Sequence, residues 1–564
     1  MLFSLRFGLN LGPQPSLAQD MPRHRACHKQ QRSYRNQQTN QQPEHQDNQT
    51  ENIRRSRGRT QFRDVLGNVF GNLFNLRLPT GTPSGKITVQ LQEGFLMPTP
   101  IKFGTSGWRS IVADEFTIAN IRRAVAGIAA YVKTQPEPHR VLVGRDPRFL
   151  GESFVDEAAR ILAAAGVTSI VIPDAAPTPA ISYAVRQLKT SGAINFTASH
   201  NPPEYNGIKF STHDGAPALP DVTKQIEAAI MALGDAPDIP RLTSAEPNFE
   251  TTDVKDDYLK RLAELVDLKA IAASGIKVVF DPFWGAGRGY SCHILREAGV
   301  TVETVHDYRD VLFGGHAPEP DDHLLADAKA KMKEIGASLV IATDGDADRF
   351  GIVDQDGTFI QPNYIIALLF DYLVETRGWK NGVAKSVATT NLINALADHH
   401  QVPLYETPVG FKYIGELILE DKIAIGGEES AGLTIRGHVP EKDGIIAGLL
   451  VAEMVAKRGK SLGKQLEELF VKVGSFYPVR ENFHLTQDAK AAFTEKLKVD
   501  PTELGGRKVT QVVRTDGLKL VLDDGSWVCY RLSGTEPVVR AYTESRNQAD
   551  MAALSAAAKA FVLS

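Results

Sequence analysis

The chain has 564 residues, 42% of them hydrophobic, with 63 basic against 67 acidic side chains and a formal net charge of -4. That length is enough for several domains, and the apolar share is enough for ordinary packed cores. The near balance of charge excludes a global field steering the chain to nucleic acid or a membrane, so a small molecule is the expected partner.

Taken in order, residues 22–58 are rich in Gln, Asn and Arg and nearly devoid of large apolar side chains. Such a segment cannot bury enough surface to offset its ordering entropy, and residues 1–96 are expected to form a disordered extension. Between Phe62 and Leu76 apolar residues do recur at helical spacing, but Gly67, Gly71 and three asparagines weaken an isolated helix. The opening MLFSLRFGLNLG is too weakly apolar for a secretory segment, and no run of about 18 apolar residues is present to cross a bilayer. Cys27, Cys292 and Cys529 stand in no CxxC spacing, so neither a disulfide framework nor a zinc site is expected, and a reducing, cytoplasmic setting fits.

From residue 97 helices and strands alternate, which is α/β layering. The spacing predicts a helix over Ile118–Val132, a strand over Val141–Val143, a helix over Phe154–Ala165 and a strand over Ser169–Ile172. A second block (251–359) repeats this with strands at Lys277–Phe280, Val302–Val305 and Leu339–Ala342. Residues 161–168 read ILAAAGVT and residues 294–301 read ILREAGVT, each closing a helix with glycine before a strand, which favours duplicated domains. A third block (360–470) has strands near Lys385–Ala388, Leu404–Glu406 and Ile423–Ile425. The last (471–564) is richer in strands, at Lys519–Leu522, Trp527–Arg531 and Val538–Tyr542, and ends in an Ala-rich helix, so a smaller α+β domain is expected there.

Four motifs carry chemistry. TASHNPPEYNGIK (Thr197–Lys209) reads as one short loop after an apolar strand, stiffened by Pro202 and Pro203, with the Ser199 hydroxyl presented rather than buried. DGDADRFG sets Asp344, Asp346 and Asp348 at alternating positions after a strand; carboxylates so close repel unless a cation lies among them. Oxygen-only ligands point to Mg²⁺ before Zn²⁺. An EF-hand is excluded, since its sixth and twelfth positions hold Arg349 and Gln355. GGEESAG (Gly426–Gly432) offers Glu428 and Ser430 as acceptors to sugar hydroxyls. RLSGTEPVVR combines Arg531, Ser533, Gly534, Thr535 and Arg540, whose small residues, hydroxyls and guanidinium groups suit a phosphate clamp.

These four motifs, in this order, together with KFGTSGWR (Lys102–Arg109), VGRDPR (Val143–Arg148), TPVGFK (Thr407–Lys412) and PEKDG around Lys442, resemble the α-D-phosphohexomutase family over about residues 102–545. The resemblance implies four domains around a central cleft, three similar α/β domains (97–250, 251–359, 360–470) and a smaller α+β domain (471–564). It also implies that Ser199 carries a phosphoryl group and that Ser199, Asp344, Asp346 and Asp348 hold Mg²⁺. Phospho-Ser199 would phosphorylate a hexose monophosphate, and the resulting bisphosphate would turn end for end and return its other phosphoryl group. Arg109, Thr407, Gly410, Lys412, Glu428, Ser430, Arg531, Ser533, Gly534, Thr535 and Arg540 would hold the hexose phosphate, while Arg145 is assigned to structure. His200, Lys209 and Lys442 are the candidates for acid–base work. No imidazole stands at Gly432, where some relatives have one. Glu429, between Glu428 and Ser430, is similar to glucose-acting members, implying glucose 1-phosphate and glucose 6-phosphate as substrates, glucose 1,6-bisphosphate as intermediate and activator, and weaker action on mannose phosphates. A monomer or weak homodimer is expected. A phosphatase of the haloacid dehalogenase type would need Thr or Val two residues beyond the second Asp of its DxD, and this chain has Asp348 or Phe350 there. A sugar-phosphate sensor without activity would not need every ligand-type residue intact.

Overall fold

Three of the sheets repeat one strand order, and the repeat decides where the chemistry-bearing loops emerge. The computed structural model describes residues 101–104, 107–234, 237–244, 249–532 and 538–564. The expectations for residues 1–96, and for Ser533, Gly534 and Thr535, lie outside them.

The first sheet contains β1 (Trp108–Ile111), β2 (Arg140–Arg145), β3 (Thr168–Val171), β4 (Gly192–Phe196), β5 (Tyr205–Thr212) and β6 (Glu250–Thr251), in the order β1-β5-β4-β2-β3-β6. The second holds β7 (Lys277–Asp281), β8 (Thr301–Thr304), β9 (Leu339–Thr343) and β10 (Phe350–Asp354), ordered β10-β9-β7-β8. The third holds β11 (Gly382–Ser386), β12 (Leu404–Thr407), β13 (Ile423–Glu428) and β14 (Gly432–Ile435), ordered β12-β11-β13-β14. Each shares a core of three parallel strands, the last turning by a hairpin into an antiparallel strand: β4 to β5, β9 to β10, β13 to β14; the first sheet adds β6, parallel to β3. Those three hairpins carry the serine, aspartate and GGEESAG motifs respectively, so triplication delivers each loop from the same corner of its sheet.

The paired ILAAAGVT and ILREAGVT segments occupy equivalent places, each ending the helix between the first and second parallel strands. Gly166 (φ 77°) and Gly299 (φ 94°) take the left-handed conformation that ends each helix. In each, the following valine N–H reaches back to a helix carbonyl, Val167 to Leu162 and Val300 to Leu295 (both 2.9 Å). The third unit has the same turn with Gln401 (φ 54°) in place of glycine, and its Val402 N–H donates to Ala397 (3.0 Å). That glutamine hides the third copy of the motif from sequence inspection.

The fourth sheet is fully antiparallel, β15 (Tyr477–His484), β20 (Val538–Ser545), β19 (Trp527–Leu532), β18 (Leu518–Leu522), β17 (Arg507–Val513) and β16 (Glu503–Leu504), with helices Gln487–Lys496 and Met551–Leu563 on its core. One continuous core runs through faces of the first three sheets, from Leu142 and Ile170 through Phe280 and Ile341 to Ile425 and Leu433. Helix Gly444–Arg458 follows the third sheet in sequence yet packs on the second, and Gly448 permits it: a Cβ there would lie 2.3 Å from Ile341 Cγ2.

Three local expectations are corrected. The predicted strand Lys385–Ala388 lies earlier, at Gly382–Ser386, because the hydroxyls of Ser386 and Thr389 bond each other (2.8 Å) and close a turn. The strand predicted to end at Ile425 continues to Glu428, placing Gly426 and Gly427 inside it, with Ile366 Cδ1 only 2.7 Å from where a Gly427 Cβ would lie. Thr197–Lys209 is not one loop. β5 begins at Tyr205, and Lys209 pairs with Asn195 across the hairpin. Among the described residues no helix is long and apolar enough to cross a membrane.

Candidate active site

Ser199 sits where β4 ends and the chain turns sharply, with φ 53°. The expectation that its hydroxyl is presented is also corrected: the residue is 1% exposed, because the aspartate loop after β9 lies directly over it. Its Oγ donates to Asp344 Oδ2 (2.7 Å), and its backbone N–H donates to Thr197 Oγ1 (2.9 Å). His200 Nδ1 lies 3.4 Å from the same Oγ. Gly345 makes the approach possible, since a Cβ there would stand 2.5 Å from the Ser199 carbonyl oxygen. Gly345→Ala should therefore push the two loops apart and lower turnover on the order of 10²-fold with the fold retained. A folded Gly345→Ala protein with unchanged kcat would contradict this account.

The three aspartates are fully buried, and one oxygen from each lies within 4.8 Å of the others. Lys209 Nζ bonds Asp346 Oδ2 (2.5 Å) and Asp348 Oδ2 (2.6 Å), and Lys442 Nζ bonds Asp348 Oδ2 (2.5 Å). Asp344 Oδ1 accepts from the Arg349 N–H (3.0 Å), and Asp346 Oδ2 from Thr178 Oγ1 (2.6 Å). Asp346 Oδ1 and Asp348 Oδ1 are buried with no hydrogen-bond partner. Burial, then the charges of Asp348 and Asp346, pushes the Asp344 carboxyl well above the usual carboxylate range. Burial works the same way on Asp348, but Lys209 and Lys442 outweigh it and hold Asp348 well below that range. Two orphaned carboxylate oxygens beside an aspartate that resists ionisation fit a hard divalent cation, which satisfies the first and relieves the second.

The acid–base candidates differ in charge. Burial, reinforced by Arg349 and Arg109, pushes the His200 imidazole well below its ordinary 6.5, so it is neutral at neutral pH. Burial also works against charge on Lys209, yet Asp346 and Asp348 outweigh it and raise the ammonium above its ordinary value. Arg109, on β1, donates to Asn201 Oδ1 (2.9 Å) beside the serine. Lys412 lines one cavity with Lys209, Glu441 and Lys442, and burial lowers its pKa.

The residues expected on the sugar side form a second group. The Gly410 N–H donates to Glu428 Oε1 (2.7 Å), and Thr407 Oγ1 donates to the Pro408 carbonyl (2.9 Å). Burial, then the charge of Glu429, pushes Glu428 up to about 7. Glu429 Oε2 accepts from the Ser386 hydroxyl (2.9 Å), which in turn accepts from the Thr389 hydroxyl (2.8 Å). Ser430 is half-buried in the turn between β13 and β14. On the fourth sheet Arg531 and Arg540 are cross-strand partners. Asp516 ties that sheet to the sugar side, pairing with Arg531 (2.8 Å) and accepting from the Val409 N–H (3.0 Å). Among the described residues no direct bond joins Arg531 or Arg540 to the serine cluster. Arg145, as expected of a structural residue, bonds the Pro173 carbonyl (3.1 Å) and Glu152 (3.0 Å).

Sequence reasoning passed over Arg148, Thr178 and Asp516. Arg148 alone donates to the carbonyls of Ser199, Asn201, Pro202 and Tyr205. Its only sequence signal is a second arginine in VGRDPR, with partners more than fifty residues away.

Comparison with known proteins gives four matches in the same order. The models for phosphoglucomutase/phosphomannomutase α/β/α domains I, II and III match residues 100–235, 256–357 and 361–473, and the model for the C-terminal domain matches 482–560. The chain is 32% identical over 448 residues to a phosphoglucomutase/phosphomannomutase of Thermococcus kodakarensis, covering 79% of this chain and 95% of that one. A Methanothermobacter thermautotrophicus protein named probable phosphoglucosamine mutase is 30% identical, with 80% and 95% covered. A crystal structure from Thermus thermophilus, solved under a provisional phosphomannomutase name, superposes with a TM-score of 0.72 at 32% identity, covering 83% of this chain and all of that one.

Proposed function

The chain belongs to the phosphoglucomutase/phosphomannomutase family and is an intramolecular phosphotransferase of the phosphohexomutase type; from this premise we propose that it interconverts glucose 1-phosphate and glucose 6-phosphate through phospho-Ser199. The observation that carries the reading is the buried contact of Ser199 Oγ with Asp344 Oδ2, beside the unpartnered Asp346 Oδ1 and Asp348 Oδ1. Asp344, Asp346 and Asp348, with an oxygen on Ser199, would hold Mg²⁺, which supplies neutralising charge for the transferring phosphoryl group.

The residues divide the remaining work. Lys209, held as an ammonium at the end of the aspartate cluster, keeps positive charge at the phosphoryl oxygens and can return a proton. Neutral His200, within reach of Ser199 Oγ, can accept the serine proton as that oxygen takes a phosphoryl group from the bisphosphate, and hand it back when phospho-Ser199 is the donor. Glu428 and Ser430 orient the sugar hydroxyls, and Arg109, Lys412, Arg531 and Arg540 take phosphate oxygens as charge-assisted donors. The bisphosphate then reorients so that its second phosphate faces Ser199. Incubation with glucose 1-phosphate, Mg²⁺ and a trace of glucose 1,6-bisphosphate should yield glucose 6-phosphate. Free phosphate as the product, or no reaction, would overturn the reading.

Two further outcomes follow from the sugar side. Glu428 is protonated below about 7 and ionised above it. Because its folded pKa lies above the ordinary 4.5, its contribution to stability declines as pH rises from about 4.5 to about 7. As an acceptor for sugar hydroxyls it strengthens over the upper part of that window, so kcat/KM should rise through pH 7 and Glu428→Gln should flatten the rise. A Glu428→Gln profile superimposable on the parent would count against this role. Glucose and mannose differ at one hydroxyl, so the proposed glucose preference is about tenfold, on the order of one hydrogen bond. Equal kcat/KM values for the two 1-phosphates would remove it.

A further inference from the structure

Away from the serine cluster, a cavity of about 320 Å³ opens where three segments meet: Arg186 and Gln187 on helix Thr178–Leu188, Arg261 and Glu264 on helix Lys255–Leu265, and Gly437 and His438 beyond β14. Arg186 Nη1 donates to the His438 carbonyl (3.0 Å), and Arg261 Nη2 donates to the Gly437 carbonyl, so both guanidinium groups are drawn to one rim. Arg261 is paired with Glu264 (2.6 Å), whereas Arg186 has no carboxylate partner among the described residues, leaving a net positive wall. His438 is 2% exposed; its Nε2 bonds Asp443 Oδ2 (2.6 Å) and its Nδ1 has no partner.

We infer that this cavity is a second ligand site, taking a small phosphate monoester, and that its occupancy adjusts the catalytic cluster. Two guanidinium groups drawn to one rim suit phosphate oxygens, and the volume lies at the lower end of small-ligand pockets. The coupling follows from what the walls touch. Helix Thr178–Leu188 begins at Thr178, whose N–H and hydroxyl both bond Asp346 (2.9 and 2.6 Å). The other wall runs from His438 to Asp443, next to Lys442, which bonds Asp348. The third wall joins in through the Tyr258 hydroxyl, which donates to Asp443 Oδ2 (2.6 Å). A ligand that fixes the spacing of Arg186 and His438 therefore fixes the spacing of Thr178 and Lys442, which grip opposite sides of the aspartate loop. The binding claim is independent of the mutase reading; only the coupling rests on it.

Calorimetric titration with glycerol 3-phosphate tests the site. The parent protein should bind two molecules, one in the active site and one here. Gln187→Glu adds a negative charge that repels a phosphate beside the arginines without removing either cross-segment bond, and should bind one, as should Arg261→Gln. Identical isotherms for the parent and Gln187→Glu overturn the site even if Arg261→Gln fails to fold. At saturating hexose phosphate, where competition in the active site is abolished, glycerol 3-phosphate should still change kcat at least twofold in the parent and not in Gln187→Glu. Purely competitive behaviour in both, with two sites bound, would overturn the coupling while leaving the binding site intact.

Discussion

A Ser199→Ala protein is expected to lose on the order of 10⁴-fold or more in mutase turnover while remaining folded. The loss is large because the oxygen removed is the one that would carry the phosphoryl group, and the neighbouring hydroxyls are already engaged: Thr197 Oγ1 donates to Asp146 Oδ2 (2.6 Å) and Thr178 Oγ1 to Asp346 Oδ2 (2.6 Å). The fold should survive because the loop is held through its backbone. The residue 199 N–H still meets Thr197 Oγ1, and its carbonyl still accepts from Arg148 Nη2 (2.8 Å). Alanine at φ 53° is strained about as serine is, so the change costs one hydrogen bond, about 1 kcal/mol. Intact mass before and after phosphatase treatment should show a removable phosphoryl group on the parent and none on the variant. A Ser199→Ala protein with normal turnover would refute the phosphoserine reading outright.

The family was legible in the sequence because the motifs that carry it are short and contiguous. The crowding of Asp344, Asp346 and Asp348 raises the expectation of a cation, and the structure adds that Lys209 and Lys442 reach them while Asp346 and Asp348 each keep an oxygen free. The duplicated α/β layering was legible from ILAAAGVT and ILREAGVT, but the third copy was not, since Gln401 does there what glycine does elsewhere. What escaped depends on residues brought together from afar. Lys209 reads in sequence as the end of one short loop from Thr197, yet cross-strand pairing with Asn195 makes it part of β5 and aims it at Asp346 and Asp348. Ser199 reads as presented because it follows an apolar strand and precedes two stiffening prolines; the cover comes from Gly345, far along the chain. Asp516, which ties Arg531 to Val409, has no motif at all.

Arg148 is where removal of a residue outside the four motifs should cost most. It is 1% exposed, pairs with Asp146 (3.0 Å), and donates to the carbonyls of Ser199 (2.8 Å), Asn201 (2.6 Å), Pro202 (2.8 Å) and Tyr205 (3.0 Å). One planar guanidinium thus shapes the whole serine turn, and Asp146 holds the turn a second time through Thr197. Burial pushes Asp146 above the usual carboxylate range, and Arg148 is the main charge opposing that push. Arg148→Ala would leave a buried carboxylate without its cation and four carbonyls without a donor, a loss on the order of 3–5 kcal/mol. Ser199 would then be poorly placed over Asp344, so turnover should fall at least on the order of 10²-fold even at temperatures where the protein stays folded. Arg148→Lys keeps the charge but presents three donors from a point instead of a planar fork, so it should recover part of the stability and little of the rate. Hydrogen exchange across residues 199–205 should quicken in both variants relative to the rest of the first sheet, a change that a purely global loss of stability would not confine to this turn. Full turnover in Arg148→Lys, or unchanged exchange in Arg148→Ala, would show that the serine turn keeps its shape without the guanidinium.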